Sequence, residues 1–224
     1  MERWMRIAVG CALVAACWCT VDAGEGADGW TVLFNGTDLD AWNCKKGGWV
    51  IDDDKAMARQ PKGGYAWSKE RFGDFVLDLD FKVAEGCNSG IFIRTANLRN
   101  VVQTGIEVQV LDSFGKKQMG KHDCGAIYDC LAPSANAVKK PGEWNHITIT
   151  CNDNLIQVVL NGQKIIDMDL DKWAEAKKNP DGSKNKFRTA YKDMAREGHI
   201  GFQDHGKPVW YRNVKIKPLA TATK

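Results

Sequence analysis

The sequence has 224 residues, a formal net charge of +3 and 44% hydrophobic residues. This hydrophobic fraction is enough for one core, and the length suits a single domain behind a short leader. The small net charge, with no basic stripe, predicts neither a nucleic-acid partner nor a membrane-surface partner.

The N-terminus, residues 1–23, is predicted to be an export signal. Two arginines precede an apolar stretch that ends near Cys19 and is followed by small residues, a pattern typical of secretory leaders. The stretch is shorter than the roughly 20 residues that a membrane-spanning helix needs. Cleavage before Gly24 and a lipid anchor on Cys17, as in a bacterial lipobox, both remain open. We expect a secreted or periplasmic protein, free or anchored to the bacterial envelope, with residues 24–224 as one domain.

Strand patterns dominate that domain. Short strands are predicted at WTVLFNG and GWVIDDD, with a turn over residues 52–55. DFVLDLDFKV then alternates apolar and charged residues, which is typical of a half-buried antiparallel strand. SGIFIRT, GIEVQVLD, EWNHITITC and NLIQVVLNGQKIIDMDL follow, and Asn161-Gly162 in the last of these predicts a type I′ hairpin. GHIGFQDHG and PVWYRNVKIKPL close the domain. Many short strands with few helices predict an all-β antiparallel sandwich or jelly roll.

One segment, residues 171–198, breaks the strand pattern. It is polar and rich in lysine, and NPDG interrupts it. We expect short helical turns at its two ends. Its surface is either simply solvated or covers a cleft.

The cysteines leave the disulfide pairing open. Three of the eight lie in the leader, which leaves Cys44, Cys87, Cys124, Cys130 and Cys151. Export favours disulfides, but an odd number leaves at least one free thiol. Cys124 and Cys130 are the pair nearest in sequence, and buried free thiols are the alternative. No spacing here is typical of a zinc site.

The strand GIEVQVLD is the first candidate for a functional site. Glu107 and Gln109 are two residues apart, so they point to the same face, while the apolar residues between and beside them point to the core. Asp112 has the opposite parity, and a β-bulge near Leu111 would bring it to the same face. The structural alternative is that these side chains simply face water.

Other polar groups could join this face. Arg94 would pair with Glu107 if their strands are neighbours, or would have a purely structural partner. FQDHG could supply side chains to a cleft or simply form a turn, and the same two alternatives apply to HDCGAIYDC. The candidates beyond Arg94 are Asn88, His122, Tyr128, Gln203 and His205.

Several motifs in order resemble one known family. LFNGTDLDAW, DFVLDLDFKVAEGCNSGIFIR, GIEVQVLD, GAIYD, GEWNHITIT, VVLNGQKI and GHIGFQDHGKPVWYRNVKI are similar to the 3-keto-disaccharide hydrolase domain family, from about Trp30 to Leu219. The resemblance implies a concanavalin A-like jelly-roll sandwich. It also implies export in bacteria that degrade polysaccharides.

The resemblance implies cleavage of glycosidic bonds in 3-keto sugars. Sandwich-fold glucanases have an E-x-D-x-x-E arrangement, whereas this chain has Glu107, Gln109 and Asp112, so ordinary two-carboxylate hydrolysis is in doubt. The implied route is removal of the C2 proton, β-elimination and hydration. Its expected base is Glu107 or His205.

The remaining roles stay open between pairs of residues. Arg94 or Asn88 would bind the enolate or a hydroxyl, and Asp112 or Tyr128 would protonate the leaving oxygen. Gln109, Gln203 and His122 would bind sugar. No cofactor is certain, although a divalent metal could replace Arg94. The alternatives are a non-catalytic carbohydrate-binding module and an interaction domain, and the sugar, linkage and oligomeric state stay open.

Overall fold

The computed structural model of the protein describes residues 28–220, so the predicted leader over 1–23 and the predicted lipid site at Cys17 lie outside the described residues. Within that range, helical structure is confined to α1 (Val101–Thr104) and two 3-10 turns, Leu170–Lys172 and Tyr191–Asp193. The strands in chain order are β1 (Thr31–Phe34), β2 (Trp42–Asn43), β3 (Trp49–Ile51), β4 (Met57–Arg59), β5 (Ala66–Phe72), β6 (Phe75–Val83), β7 (Asn88–Thr95), β8 (Ile106–Leu111), β9 (Asn145–Asn152), β10 (Leu155–Leu160), β11 (Gln163–Asp169), β12 (Gly198–Phe202) and β13 (Val209–Pro218).

The strands form two antiparallel sheets. The larger sheet has the order β11-β10-β9-β6-β13-β4-β3, and β1 also pairs with β13. The smaller sheet has the order β2-β5-β12-β7-β8. Apolar side chains of both sheets belong to one core, for example Leu77 and Phe81 of β6 with Ile91 of β7 and Val108 of β8. The predicted all-β sandwich is confirmed.

Local predictions in the larger sheet are also confirmed. Along β6, buried and half-buried residues alternate over the whole strand, as the apolar and charged pattern requires. Asn161 and Gly162 have positive φ values of 50° and 82° and join β10 directly to β11, as a type I′ turn demands. The predicted early turn closes where the amide of Lys55 donates to the carbonyl of Asp52.

The 171–198 segment has the predicted helical turns at its ends, but it is more than a solvated surface. Trp173, Phe187, Tyr191 and Met194 are buried in the core. The indole nitrogen of Trp173 also donates a 3.0 Å hydrogen bond to the side chain of Asn179. These anchors fix the segment against the sandwich.

The five cysteines of the described region are all free thiols, so the disulfide alternative is wrong for Cys124 and Cys130. Burial raises the pKa of the Cys124 and Cys130 thiols to about 12, which keeps both protonated and unreactive at neutral pH. No helix between residues 28 and 220 has the length and apolar character needed to cross a membrane.

Candidate active site

The outer face of the smaller sheet, at β7 and β8, holds the candidate site. Ile106, Val108 and Val110 of β8 point into the core, so Glu107 and Gln109 point to the opposite face. The two strands are paired in unbroken register, with Phe92 opposite Glu107 and Gly90 opposite Gln109. The parity prediction for Glu107 and Gln109 is therefore confirmed.

Gly90 is the centre of this site. A β-carbon at Gly90 would collide with the carboxylate of Glu107, so only the absence of a side chain lets that carboxylate lie across β7. The backbone amide of Gln203, just past β12, donates a 3.0 Å hydrogen bond to the carbonyl of Gly90. Glu107, Gln109 and Gln203 thus surround Gly90, and we call this group the Gly90 site.

The Glu107 carboxyl group is buried, with only 8% of the residue exposed. Burial raises its pKa from an ordinary value near 4.5 to about 7, and the positive charge of Lys186 opposes part of that rise. No hydrogen bond to this carboxyl group forms within residues 28–220. A carboxyl group that exchanges its proton near neutral pH can act as a general base or a general acid.

The two glutamines of the Gly90 site have unsatisfied acceptors. Nε2 of Gln109 donates to Oδ1 of Asn88 over 3.1 Å, and Nε2 of Gln203 lies 3.4 Å from the hydroxyl of Tyr65. The Oε1 atoms of both glutamines are buried and have no hydrogen-bond partner in the described part of the chain. A buried acceptor without a partner costs about 1–3 kcal/mol, so a ligand that brings hydroxyl donors would relieve this cost.

An aromatic surface adjoins these amides. The rings of Tyr65 and Trp67 are stacked, with centroids 5.2 Å apart, and the edge of Phe92 contacts both. Gly201 of β12 leaves room for the Trp67 ring, since a β-carbon at this position would collide with it. Sequence reasoning missed Tyr65, which follows a Gly-Gly turn, because nothing in the sequence places it beside Gln203.

A loop after β8 completes one side of the site. The amide of Tyr128 donates to the carbonyl of Glu107 over 2.9 Å, which holds Tyr128 at the edge of β8. The ring of His122 lies 4.7 Å from that of Tyr128, and its Nε2 lies 3.0 Å from Oδ1 of Asp129. Tyr128 and His122 therefore come to the same edge of the sheet as Glu107.

Arg94 does not take part in this arrangement. Its strand neighbours that of Glu107, but its guanidinium pairs with Asp74 at 2.7 Å and donates to the carbonyls of Gly73 and Asp153. Arg94 has a positive φ of 50°, which breaks the regular alternation of β7. The predicted Arg94–Glu107 pair is wrong, and Arg94 has a structural role in this fold.

The β-bulge predicted near Leu111 is also wrong, because the register of β7 and β8 has no shift. Asp112 lies past the end of β8, and its carboxylate accepts a 2.7 Å hydrogen bond from the amide of Gly86. It therefore caps a neighbouring turn instead of joining Glu107.

The FQDHG loop divides its side chains between two tasks. Asp204 forms an ion pair with Arg59 and accepts from the amide of Gly206. Asp204 therefore stabilises a turn, which is the second of the two alternatives for this motif. His205 is exposed beside it, whereas Gln203 belongs to the Gly90 site. A catalytic role for His205 stays a prediction.

A divalent metal also stays a prediction. Within residues 28–220, no three side chains of His, Cys, Asp or Glu are grouped closely enough to hold a metal ion. Next to Glu107, the Gly90 site offers amide oxygens of Gln109 and Gln203, which are hard ligands but too few for an all-protein cage.

Comparisons with known proteins agree with this fold. The sequence model of the 3-keto-alpha-glucoside-1,2-lyase-like domain matches residues 29–217. A Bacteroides thetaiotaomicron protein named 3-keto-disaccharide hydrolase is 26% identical over 86% of this chain and 79% of its own length. A Parabacteroides distasonis structure provisionally described as a glycosyl hydrolase is 35% identical, with a TM-score of 0.78 over 85% of this chain and 99% of that chain. A galectin-like fold from Bacillus subtilis, 13% identical with a TM-score of 0.55, shares the architecture alone.

Proposed function

Because the chain belongs to the 3-keto-alpha-glucoside-1,2-lyase-like domain family, we propose that it cleaves glycosidic bonds of sugars that carry a ketone at C3. The observation that supports this activity best is the Glu107 carboxyl group, which is buried in the Gly90 site and has a pKa near 7. Family membership alone suggests a class of substrate, whereas the mechanism has to be argued from the residues of the site.

The proposed reaction begins with proton removal at C2, which the neighbouring ketone acidifies. The Glu107 carboxylate takes this proton, and the electron pair moves to the C3 oxygen as an enolate. When the ketone forms again, the C1 oxygen leaves with its electrons and C1=C2 becomes a double bond. Tyr128 or Tyr65 gives the leaving oxygen a proton. Water then adds its hydroxyl to C1 and its proton to C2, and the proton held by Glu107 passes through solvent to the tyrosinate. One water is consumed overall, and both side chains return to their starting state.

The alternative of direct hydrolysis by two carboxylates has little support in the geometry. That mechanism requires a second acid on the same face, about 5–9.5 Å from the first. The residue two positions after Glu107 is the amide Gln109, and Asp112 caps the turn at Gly86. Asp204 is engaged by Arg59, and Asp129 is bonded to His122 and accepts from the amide of Lys186.

The unsatisfied Gln109 and Gln203 acceptors support binding of a polyhydroxylated ring. A ketone oxygen is an acceptor only, so these two amide oxygens would bind hydroxyl groups of the sugar and not the ketone. Tyr65, stacked on Trp67, offers a partly exposed ring for contact with the apolar side of the sugar. We further propose that the mature protein acts outside the cytoplasm, either free or anchored by a lipid attached to Cys17.

The test is to incubate the purified protein with a panel of 3-keto glycosides and the matching unoxidised glycosides, with and without a chelator, and to identify the products. We expect release of the aglycone from keto substrates only, and loss of turnover in Glu107→Gln. Undiminished turnover by Glu107→Gln would refute the role of Glu107. Calorimetric binding of the keto glycosides without any cleavage by the wild type would favour the carbohydrate-binding module instead.

A further inference from the structure

We propose that Lys186, in the 171–198 segment, binds the C3 oxygen of the substrate and stabilises the negative charge that forms there when Glu107 removes the proton. This inference rests on the proposed function. It assigns to Lys186 the role that the sequence indicated for Arg94 or Asn88.

The position of the ammonium group is the first argument. Nζ of Lys186 lies 4.0 Å from the centre of the Tyr128 ring, and the amide of Tyr128 is bonded to the carbonyl of Glu107. The ammonium group therefore lies at the edge of β8 that holds the carboxyl group of Glu107. The ring face of Tyr128 attracts the cation and directs it toward this edge.

The backbone of Lys186 is held on both sides. Its amide donates a 2.8 Å hydrogen bond to the carboxylate of Asp129, and its carbonyl accepts from Nε2 of Gln103 over 3.2 Å. Oε1 of the same Gln103 accepts from the amide of Arg188 over 2.9 Å. The exposed side chain thus extends from a fixed backbone, which is the arrangement that a positioned electrophile requires.

The charge balance of the site is the second argument. Around Gly90, the Glu107 carboxylate and the free carbonyl oxygens of Gln109 and Gln203 can only accept, and the remaining donors are neutral amide and hydroxyl groups, so none of these groups brings a positive charge to an enolate. In residues 28–220, the ammonium of Lys186 has no carboxylate within ion-pair distance, so its charge is available to a ligand. Burial raises the pKa of Glu107, and the positive charge of Lys186 opposes part of that rise.

The decisive variants are Lys186→Met and Lys186→Arg, with Lys184→Met as the matched control because Lys184 is an exposed lysine two residues away in the same segment. Loss of one donor to a developing oxyanion lowers kcat by about 100- to 1,000-fold. We expect a loss of this size in Lys186→Met, substantial retention in Lys186→Arg, and no change in Lys184→Met. The acid limb of the kcat/KM profile should also move to higher pH in Lys186→Met, since the cation that favours ionised Glu107 is gone.

Turnover of keto glycoside by Lys186→Met within about threefold of the wild-type rate would overturn the inference. The controls separate the two proposals. If Glu107→Gln is inactive and Lys186→Met is fully active, only the role of Lys186 fails. If the wild type cleaves no keto glycoside, or if Glu107→Gln is fully active, the proposed function fails and the role of Lys186 fails with it.

Discussion

Replacement of Glu107 by glutamine should increase stability at alkaline pH while it removes activity. In the folded protein, burial holds the Glu107 carboxyl group in its protonated form up to a pKa of about 7, whereas an exposed glutamate ionises near 4.5. Between these two pH values, the unfolded chain has lost this proton and the folded chain still binds it. Stability therefore falls as the pH rises through this interval.

The size of the effect follows from the same two values. Where the folded chain binds one proton more than the unfolded chain, each pH unit lowers the unfolding free energy by about 1.36 kcal/mol. Ionisation of Glu107 therefore lowers the unfolding free energy of the wild type by about 3 kcal/mol between pH 4.5 and 8. Glutamine has no proton to release, so the loss is absent from the variant. The unfolding free energy of Glu107→Gln minus that of the wild type should increase by about 3 kcal/mol over this range.

Urea unfolding followed by tryptophan fluorescence at pH 5, 6, 7 and 8 measures this difference. Glu143→Gln is the control, because Glu143 is exposed and its removal should leave the pH dependence of the wild type unchanged. Parallel stability curves for the wild type and Glu107→Gln would show that Glu107 ionises normally. That result would refute the argument that burial poises it as a base.

Other substitutions test the parts around Glu107. Arg94→Met should lower the unfolding free energy by about 3–5 kcal/mol, because the largely buried Asp74 carboxylate would lose its positively charged partner and keep the Asp153 amide, yet folded molecules should keep wild-type kcat. Gly90→Ala should displace the Glu107 carboxylate and lower kcat/KM by about 100-fold, with circular dichroism confirming the fold; full activity would contradict the described packing. Ser89→Ala should lower the unfolding free energy measured in urea by about 1–3 kcal/mol, since the buried Ser89 hydroxyl donates to the carbonyl of Gln203, which would lose this donor.

Much of the fold follows from local patterns in the sequence. The alternation along β6 specifies which face of the strand is buried, and Asn161-Gly162 requires a turn that few other residue pairs can adopt. The same period of two places Glu107 and Gln109 on one face. These features depend on neighbouring residues alone, which explains why they could be predicted.

The composition of the site depends on contacts that the sequence does not reveal. Tyr65 reaches Gln203 across 138 positions of sequence, and Lys186 reaches Tyr128 only because buried residues of the 171–198 segment fix that segment against the sandwich. The strand pattern predicts the wrong partner for Arg94, because its left-handed backbone conformation and its ion pair with Asp74 have no signature in that pattern.

The central claim is that Glu107 removes a proton from carbon before the glycosidic bond breaks. A 3-keto glycoside with deuterium at C2 tests it most directly, when its cleavage rate is compared with that of the protiated substrate at a pH above 7. We predict slower cleavage of the deuterated substrate and replacement of the deuterium by solvent hydrogen in the released sugar. Equal rates with deuterium fully retained at C2 would contradict the claim, because the bond would then break without proton removal.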